Sequence, residues 1–386
     1  MTKKRIGIIG YGGRISGMLG LLLELMPEAQ LAAITELPEA EEKVKKRLAD
    51  NKIDSVSVQF YTEADEMLAK ANLDGVMIGT RCSLHTKMAI KVLSTGLPLF
   101  LEKPVSTTVE DWKLLKAAAG KTASKTVVSF PLRVTPIALK AGEIINSGIL
   151  GSIEHVQAWN NVPYGGTYFH NWYRDENETN GLFLQKATHD FDYICNLVNK
   201  KPVLICAMKS KQIFKGSRPS GLRCVDCPDK DICTEGPYQM KYVKYDVPNG
   251  EYCCFAVDTG NEDSGSAIFS FEDGSHCSYS QNFFARKKAA ARGARFLGYN
   301  GTLEFDWYTD EIRVFMHNTL RNDVYQFDSV KMSHAGGDPN LIISFRDILR
   351  SKSEISVAPL EAGLQSAWMC LQARESAETQ TFRTLV

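Results

Sequence analysis

One lysine of this 386-residue chain stands where a proton-transferring side chain would be useful. The apolar run at 97–101 leads directly into Glu102-Lys103-Pro104, so Lys103 falls at the carboxyl end of a predicted parallel strand, where open α/β sheets bind ligands. A partly desolvated lysine beside a nicotinamide can exchange a proton with a substrate hydroxyl during hydride transfer. Lys103 is therefore a catalytic candidate, with an ordinary surface lysine as the alternative.

A histidine on a predicted helix is the second candidate. The segment 181–197 has the pattern of an amphipathic helix, with Gln185, His189 and Asp192 on one face at i, i+4 and i+7. His189 could relay a proton or hydrogen-bond the reacting hydroxyl, and Asp192 could fix its tautomer. Lys186, three residues before His189, would border the same pocket. A structural, hydrogen-bonding histidine is the alternative.

A glycine-rich turn near the start predicts a phosphate-binding site. The apolar run at 5–9 is followed by a turn and then by a predicted helix over about 14–26, whose first N–H groups and positive dipole end favour an anion. A strand-to-helix turn with glycines for steric reasons alone is the alternative. The candidate cofactor-binding residues of this turn are Gly10, Tyr11, Gly12, Gly13, Arg14 and Ile15, the last standing where a third glycine is usual.

The end of the next predicted strand indicates which dinucleotide is bound. The run at 31–35 ends in Glu36, at the spacing where a carboxylate accepts hydrogen bonds from the ribose hydroxyls of NAD. A carboxylate would repel the additional phosphate of NADP, and Leu37 offers no compensating charge. NAD is therefore the predicted cofactor. An exposed loop glutamate is the alternative.

Aromatic and basic residues predict a wall for a carbohydrate-like substrate. Aromatic rings pack against the C–H faces of sugar rings, while Arg and His donate hydrogen bonds to hydroxyls or carboxylates. A core loop or subunit contact is the alternative. The candidates of this segment are Tyr168, His170, Trp172 and Arg174. Arg133, on the segment that joins the two predicted domains, is a further candidate, with helix capping or ion pairing as its alternative.

A compact group of cysteines predicts a structural metal site. Cys224-x-x-Cys227 and Cys233 lie in a polar stretch with proline and glycine and little else to order it. Three such thiolates suit zinc, which needs a fourth ligand. An iron–sulfur cluster and reduced thiols without a metal are the alternatives.

The order of the predicted elements indicates two domains. Strands and helices alternate through about residue 130, which predicts an α/β Rossmann domain with a doubly wound parallel sheet over 1–131. Residues 132–386 predict an α+β domain with a large, mainly antiparallel sheet for substrate binding and oligomerisation. Its last helices, near 339–351 and 359–377, are expected to pack back on the first domain. Sheet-to-sheet contact predicts a homo-oligomer.

Composition excludes several classes of partner. The chain has 45 basic and 45 acidic residues, and no basic tract or aromatic–basic interleaving that indicates nucleic acid. It has no apolar run long enough to span a membrane and no signal-peptide pattern, so a cytoplasmic protein is expected. The ten cysteines are then expected to be reduced thiols or metal ligands.

The glycine turn with Glu36, then Glu102-Lys103-Pro104, then His189-x-x-Asp192, resembles in this order the Gfo/Idh/MocA family of NAD(P)-dependent oxidoreductases. Thr80, Ser83 and His85 are further points of likeness, and the resemblance implies that they and Glu102 also border the cofactor. It implies hydride transfer between nicotinamide and a ring carbinol or ketone of a sugar, cyclitol or derivative.

The resemblance also leaves alternatives and shows one departure. A redox-neutral glycosidase or epimerase that retains NAD, or a dinucleotide-sensing regulator without catalysis, would share the same fold. Many members carry Asp at the place of Gln185, which cannot accept a proton, so proton transfer would depend on Lys103 and His189. A related branch of the family implies Cys253 as the fourth metal ligand, with Cys254 as its substitute.

Overall fold

Short apolar runs at the start of the chain form a parallel sheet. The computed structural model describes residues 3–120, 125–236, 251–329 and 331–385. In these residues the first sheet has the order β3-β2-β1-β4-β5-β6, with every pairing parallel. Its strands are β1 (Lys4–Ile9), β2 (Ala29–Thr35), β3 (Gln59–Tyr61), β4 (Gly75–Ile78), β5 (Leu99–Leu101) and β6 (Thr126–Val128).

Helices connect these strands, because a parallel pair needs a crossover connection. The central strands β4 and β5 are fully buried and almost entirely apolar, as expected for a sheet covered on both faces. The connecting helices are α1 (Gly13–Leu25), α2 (Glu41–Asp50), α3 (Ala64–Lys70), α4 (His85–Thr95) and α5 (Val109–Ala119).

The first compact unit includes a late part of the chain. It comprises Met1–Thr135 and Met332–Trp368, whereas the second comprises Pro136–Lys331 and Met369–Val386. Helix α10 (Gly337–Leu349) thus belongs to the first unit, where Phe345 packs edge-on against Phe100 of β5 at 5.8 Å. Helix α11 (Leu360–Thr379) begins in this unit and ends in the second. The units therefore differ from a single division after residue 131.

The second unit is built on a nine-stranded sheet. Its order is β14-β13-β12-β11-β7-β10-β9-β8-β15, and the pairings are antiparallel except that β7 and β10 run parallel. The predicted antiparallel sheet is confirmed in the main, with this one parallel pair added. The strands are β7 (Ile153–Asn161), β8 (Pro202–Ser210), β9 (Ser264–Phe271), β10 (His276–Asn282), β11 (Ala291–Gly298), β12 (Gly301–Asp306), β13 (Glu311–Met316), β14 (Asn322–Gln326) and β15 (Arg383–Thr384).

Alternating side chains give this sheet one buried face. Along β9 and β10, Ala267, Phe269 and Tyr279 are buried, whereas Ile268 between them is half exposed. Rings from the buried face pack against the helix that carries His189; Phe191 meets Tyr279 edge-on at 5.2 Å. The helices of this unit are α6 (Pro136–Asn146), α7 (Thr167–His170), α8 (Glu176–Thr179) and α9 (Thr188–Val198).

No helix among the described residues is both long and apolar enough to cross a bilayer.

Candidate functional site

The glycine turn lies at the carboxyl end of β1, beside β4, where the strand order reverses direction. Gly10 has φ +78°, and a Cβ there would lie 2.8 Å from the backbone of Thr80. Gly12 caps α1 without a side-chain hydrogen bond, so the first N–H groups of the helix stay available for an anion. Both features fit a dinucleotide pyrophosphate.

The turn accommodates Ile15 in place of a third glycine. Ile15 is fully buried, and the Cβ that any other residue would have at position 79 would lie 2.7 Å from the Ile15 Cβ. The small residue needed for close helix–strand packing is therefore Gly79, just after β4, and not position 15. The departure noted in the sequence leaves the turn intact.

Glu36 lies beside the turn. Its Oε2 accepts a hydrogen bond from the backbone N–H of Tyr11 at 2.9 Å, and its Oε1 accepts one from Leu37 at 3.1 Å. A carboxylate can accept about four hydrogen bonds, so acceptor capacity remains for ribose hydroxyls. Arg47 of α2 donates to the Tyr11 carbonyl at 2.6 Å and supports the same turn.

The side chain of Arg14 forms ion pairs within its own unit. Its guanidinium donates two hydrogen bonds to Asp338, both at 2.6 Å, and lies 3.3 Å from Glu102. Burial alone would raise the pKa of the Asp338 carboxyl, but hydrogen bonds from His334 and Arg14 hold it well below its usual range. The Arg14 side chain is thus engaged by carboxylates, which leaves its backbone N–H for the predicted cofactor contact.

The Asp338 carboxylate makes stability depend on pH. Because its pKa is lower in the folded protein than the value of about 3.9 for an unfolded aspartate, its contribution is complete above about pH 4 and is lost as the pH falls further. We expect Asp338→Asn to lower the melting temperature near neutral pH and the difference from the wild type to shrink below about pH 4. Thermal melts from about pH 3 to pH 7, with the exposed Glu24→Gln as control, test this. A pH-independent difference would contradict it.

The loops after β4 and β5 are tied together by His85. Its Nδ1 lies 2.8 Å from the carbonyl oxygen of Pro104 and its Nε2 lies 3.2 Å from that of Thr80. Burial lowers the pKa of this imidazole. Both ring nitrogens face backbone carbonyls. A neutral imidazole has one N–H, so it donates to one of these carbonyls and contacts the other, and the His85 side chain thereby positions both loops. Thr80 and Ser83 lie in the loop after β4. Thr80 precedes the short 3₁₀ turn Cys82–Leu84, and Ser83 lies within it.

Lys103 lies between buried neighbours. Glu102 and Pro104 are buried, whereas Lys103 itself is partly exposed at the carboxyl end of β5. This is the position that the sequence predicted for a lysine able to reach a ligand.

The helix with His189 begins with a turn that the sequence did not predict. Residues Phe183–Ala187 form a π-helical turn that continues into α9, and such turns are frequent at functional sites. His189 is partly exposed, whereas Asp192 is buried. Gln185 is buried and donates a hydrogen bond to the Thr179 carbonyl at 3.0 Å, which gives its amide a structural partner.

Lys186 is buried among tyrosines. Its ammonium contacts the hydroxyl of Tyr164 and lies 4.5 Å and 5.6 Å from the ring centres of Tyr164 and Tyr168. Burial lowers the pKa of Lys186. Tyr168 also packs edge-on against Phe283 at 5.6 Å. The two ring faces attract the ammonium group, whose N–H groups can donate hydrogen bonds to oxygen atoms.

A buried ion pair beneath this helix was missed by the sequence analysis. Asp190 is fully buried and accepts hydrogen bonds from Arg292, Asn160 and Tyr279, each at 2.8 Å. The sequence signal was a carboxylate on the same apolar helix face as Ile194 and Leu197.

The side chains of the predicted substrate wall fall into two groups, the aromatic residues Tyr168 and Trp172, which contact other rings, and Arg174, which forms an ion pair. Tyr168 is buried, and Trp172 is partly exposed and stacks on Tyr173 at 3.8 Å. Arg174 forms an ion pair with Asp258 and donates to Thr259 at 3.0 Å. The Arg174 side chain therefore anchors a neighbouring segment of its own unit.

His170 and Arg133 also have structural partners. The Nδ1 of His170 lies 2.7 Å from the carbonyl oxygen of Tyr252, and the residue is 1% exposed. Arg133, in the first unit, is buried and donates to the Val357 carbonyl at 2.9 Å. Both side chains thus have hydrogen-bond partners within their own units.

The structure brings the metal candidates together. One small pocket is lined by His170, Cys254 and all four candidate cysteines: Cys224, Cys227, Cys233 and Cys253. All ten cysteines are free thiols. Burial and the neighbouring Cys253 raise the pKa of the Cys224 thiol to about 11. Within the described residues, no three His, Cys, Asp or Glu side chains are positioned to hold a metal ion as they stand.

The parallel sheet and its glycine turn define a dinucleotide-binding Rossmann fold. The model of the oxidoreductase family with NAD-binding Rossmann fold matches residues 4–130, and that of the GFO/IDH/MocA C-terminal domain matches residues 138–304. The chain belongs to the Gfo/Idh/MocA family.

Known relatives are distant in sequence. YteT of Bacillus subtilis is 24% identical over 350 residues, which cover 80% of this chain and 79% of YteT. Inositol 2-dehydrogenase of Rhizobium meliloti is 24% identical over 218 residues, 56% of this chain and 62% of that enzyme. The structure of levoglucosan dehydrogenase in complex with NADH and levoglucosan aligns with this chain over the full length of both, with a TM-score of 0.74 and 18% identity. This similarity is one of fold.

Proposed function

We propose that this protein is an NAD-dependent dehydrogenase or reductase acting on a ring carbinol or ketone of a sugar, cyclitol or related compound. The observation that carries the proposal is the arrangement at the carboxyl ends of the first sheet: the glycine turn, Glu36 beside it and Lys103 after β5. The names of two relatives, inositol 2-dehydrogenase and levoglucosan dehydrogenase, support the substrate class.

The residues of the chain have distinct roles in this proposal. Bound NAD would supply the hydride acceptor. The N–H groups of α1 bind the pyrophosphate, and Glu36 accepts hydrogen bonds from the ribose. Lys103 accepts the proton of the substrate hydroxyl during oxidation and returns it during reduction. His189 orients this hydroxyl or relays its proton. Lys186 and Tyr168 contact the hydroxyls and ring faces of the substrate.

The direct test is NADH formation by the purified protein with NAD and a panel of cyclitols, aldoses, sugar acids and glycosides. Oxidation of one substrate class, with matching NADH, supports the proposal. A product formed without net NADH would favour a redox-neutral enzyme that retains NAD. Bound dinucleotide without any turnover across the panel would favour a sensor.

Cofactor preference is tested at Glu36. We expect Glu36→Ser to weaken NAD binding by about 10- to 100-fold, since it removes charged acceptors worth about 1.5–3 kcal/mol, and to improve NADP binding relative to NAD. Titration of both dinucleotides by calorimetry measures the ratio, with Glu39→Ser on the exposed neighbouring turn as control. An unchanged NAD-to-NADP ratio would show that Glu36 does not select the cofactor.

Three further assignments belong to the proposal. Cys224, Cys227, Cys233 and Cys253 lie around one pocket, and side chains of this pocket are proposed to hold a structural metal ion. The outward face of the second sheet carries exposed Met208 and Ile268 and is proposed to meet a second copy in a homo-oligomer. We place the protein in the cytoplasm.

A further inference from the structure

We propose that His170 is a metal ligand, and that it completes a zinc site with Cys224, Cys227 and Cys233. The inference builds on the proposed metal ion but changes its ligand set, with His170 in the place predicted for Cys253. It also joins two features that the sequence analysis kept apart, the cysteine group and the aromatic segment that carries Tyr168 and Trp172.

The first argument is the hydrogen bonding of His170. Its Nδ1 is 2.7 Å from the Tyr252 carbonyl oxygen, which can only accept, so Nδ1 carries the proton. The Nε2 atom then has a free lone pair. It is buried and has no hydrogen-bond partner among the described residues. Metal-binding histidines are typically held in this way, with the other ring nitrogen donating to a carbonyl or carboxylate.

The second argument is the surroundings of the ring. His170 lines the same pocket as the cysteines. The Cys224 sulfur lies 4.0 Å from the protonated Nδ1, so this thiol must move toward Nε2 when an ion binds. The pocket has room for about one water-sized sphere, a volume of about 10 Å³. Burying an imidazole without a partner for Nε2 costs free energy, and an ion in this space would remove that cost.

The third argument is the backbone that presents the thiols. Cys224 begins a 3₁₀ turn that is closed by a hydrogen bond from the N–H of Cys227 to the Cys224 carbonyl at 3.3 Å. In a second turn, the N–H of Cys233 donates to the Asp229 carbonyl at 2.9 Å. Tight turns thus bring three thiols to one pocket, and three thiolates with one imidazole form a closed zinc site. Since the side chains do not hold an ion as they stand, the thiols must rotate toward the pocket centre on binding.

Zinc binding by His170 would also affect the substrate wall, the aromatic segment that carries Tyr168 and Trp172. His170 ends α7 and lies between Tyr168 and Trp172 in the chain, so a zinc–nitrogen bond would fix this segment relative to the cysteine turns. The ion would be structural, because four protein ligands leave no open position for substrate. Its loss is expected to loosen the aromatic segment while leaving NAD binding in the first unit intact.

The test measures zinc content and coordination in the full chain purified with added zinc. The key variant is His170→Asn, because the asparagine amide can still donate to the Tyr252 carbonyl but offers no nitrogen lone pair. Cys253→Ser removes the competing ligand, and Cys206→Ser in β8 is the thiol control. X-ray absorption distinguishes Zn–S bonds of about 2.3 Å from Zn–N bonds of about 2.0–2.1 Å.

We expect one zinc per chain with three sulfur atoms and one nitrogen. His170→Asn should lose the nitrogen signal and weaken zinc binding by about 10-fold or more, whereas Cys253→Ser and Cys206→Ser should retain both. A four-sulfur site that His170→Asn leaves unchanged and Cys253→Ser disrupts would overturn the role of His170 and keep the metal. No zinc in any variant would overturn the metal site itself. Neither result depends on dehydrogenase activity.

Discussion

Replacing Lys103 by methionine is expected to lower kcat by about 10²- to 10⁴-fold, the usual contribution of a positioned acid–base group. Methionine keeps the length and most of the apolar stem of lysine but cannot exchange a proton. Lys103 follows β5 at the edge where the glycine turn and Glu36 also stand, yet neither of these requires its ammonium. The dissociation constant for NAD should therefore change much less than kcat.

The measurement is kcat, KM and NAD binding for Lys103→Met beside Lys87→Met, an exposed lysine of α4 in the same unit. Once a substrate has been found, the pH profile of kcat adds a second readout, because removing the proton acceptor should abolish the ionisation that Lys103 imposes. If Lys103→Met and Lys87→Met have the same kcat, Lys103 is not the acid–base group. Near-equal loss of NAD binding and kcat would instead assign Lys103 to cofactor binding.

Features set by local sequence were predictable. The glycine turn follows from glycines between an apolar strand and a helix, and Glu36 follows from its position at the end of β2; both lie where the pattern indicated. The helix over 181–197 is also present, although its first turn is π-helical. In each case neighbouring residues in the chain determine the geometry, so the pattern contains the information.

Side-chain partners far apart in the chain were not predictable. The guanidinium of Arg14 binds Asp338, 324 residues later, a partner that no pattern around Arg14 indicates. The compensation for Ile15 by Gly79 likewise depends on which strand lies beside β1. A single sequence shows which residues can form ion pairs or close contacts, but only the folded chain shows which pairs meet.

The buried pair of Asp190 and Arg292 leads to the second large prediction. Asp190→Ala is expected to lower the free energy of unfolding of the second unit by about 3–5 kcal/mol, because it leaves the Arg292 guanidinium buried without its carboxylate. Asn160 and Tyr279 lose an acceptor at the same time. Urea denaturation followed by tryptophan fluorescence, with hydrogen exchange of α9 as a local probe, measures the loss.

Two further variants show whether Asp190→Ala lowers the free energy of unfolding through an unpaired buried charge or through the loss of contacts alone. Glu143→Ala breaks the exposed ion pair with Lys140 in the same unit and should cost less than about 1 kcal/mol. The double variant Asp190→Leu/Arg292→Met removes both buried charges and should recover much of the stability that Asp190→Ala loses, because no charge is left unpaired. If the double variant is as unstable as the sum of its single variants, the network acts through its individual hydrogen bonds. If Asp190→Ala costs no more than Glu143→Ala, the buried charge pair does not hold α9 against the sheet. The position of His189, the preceding residue in the chain, then depends on the apolar contacts of α9, such as those of Phe191 with Phe269 and Tyr279.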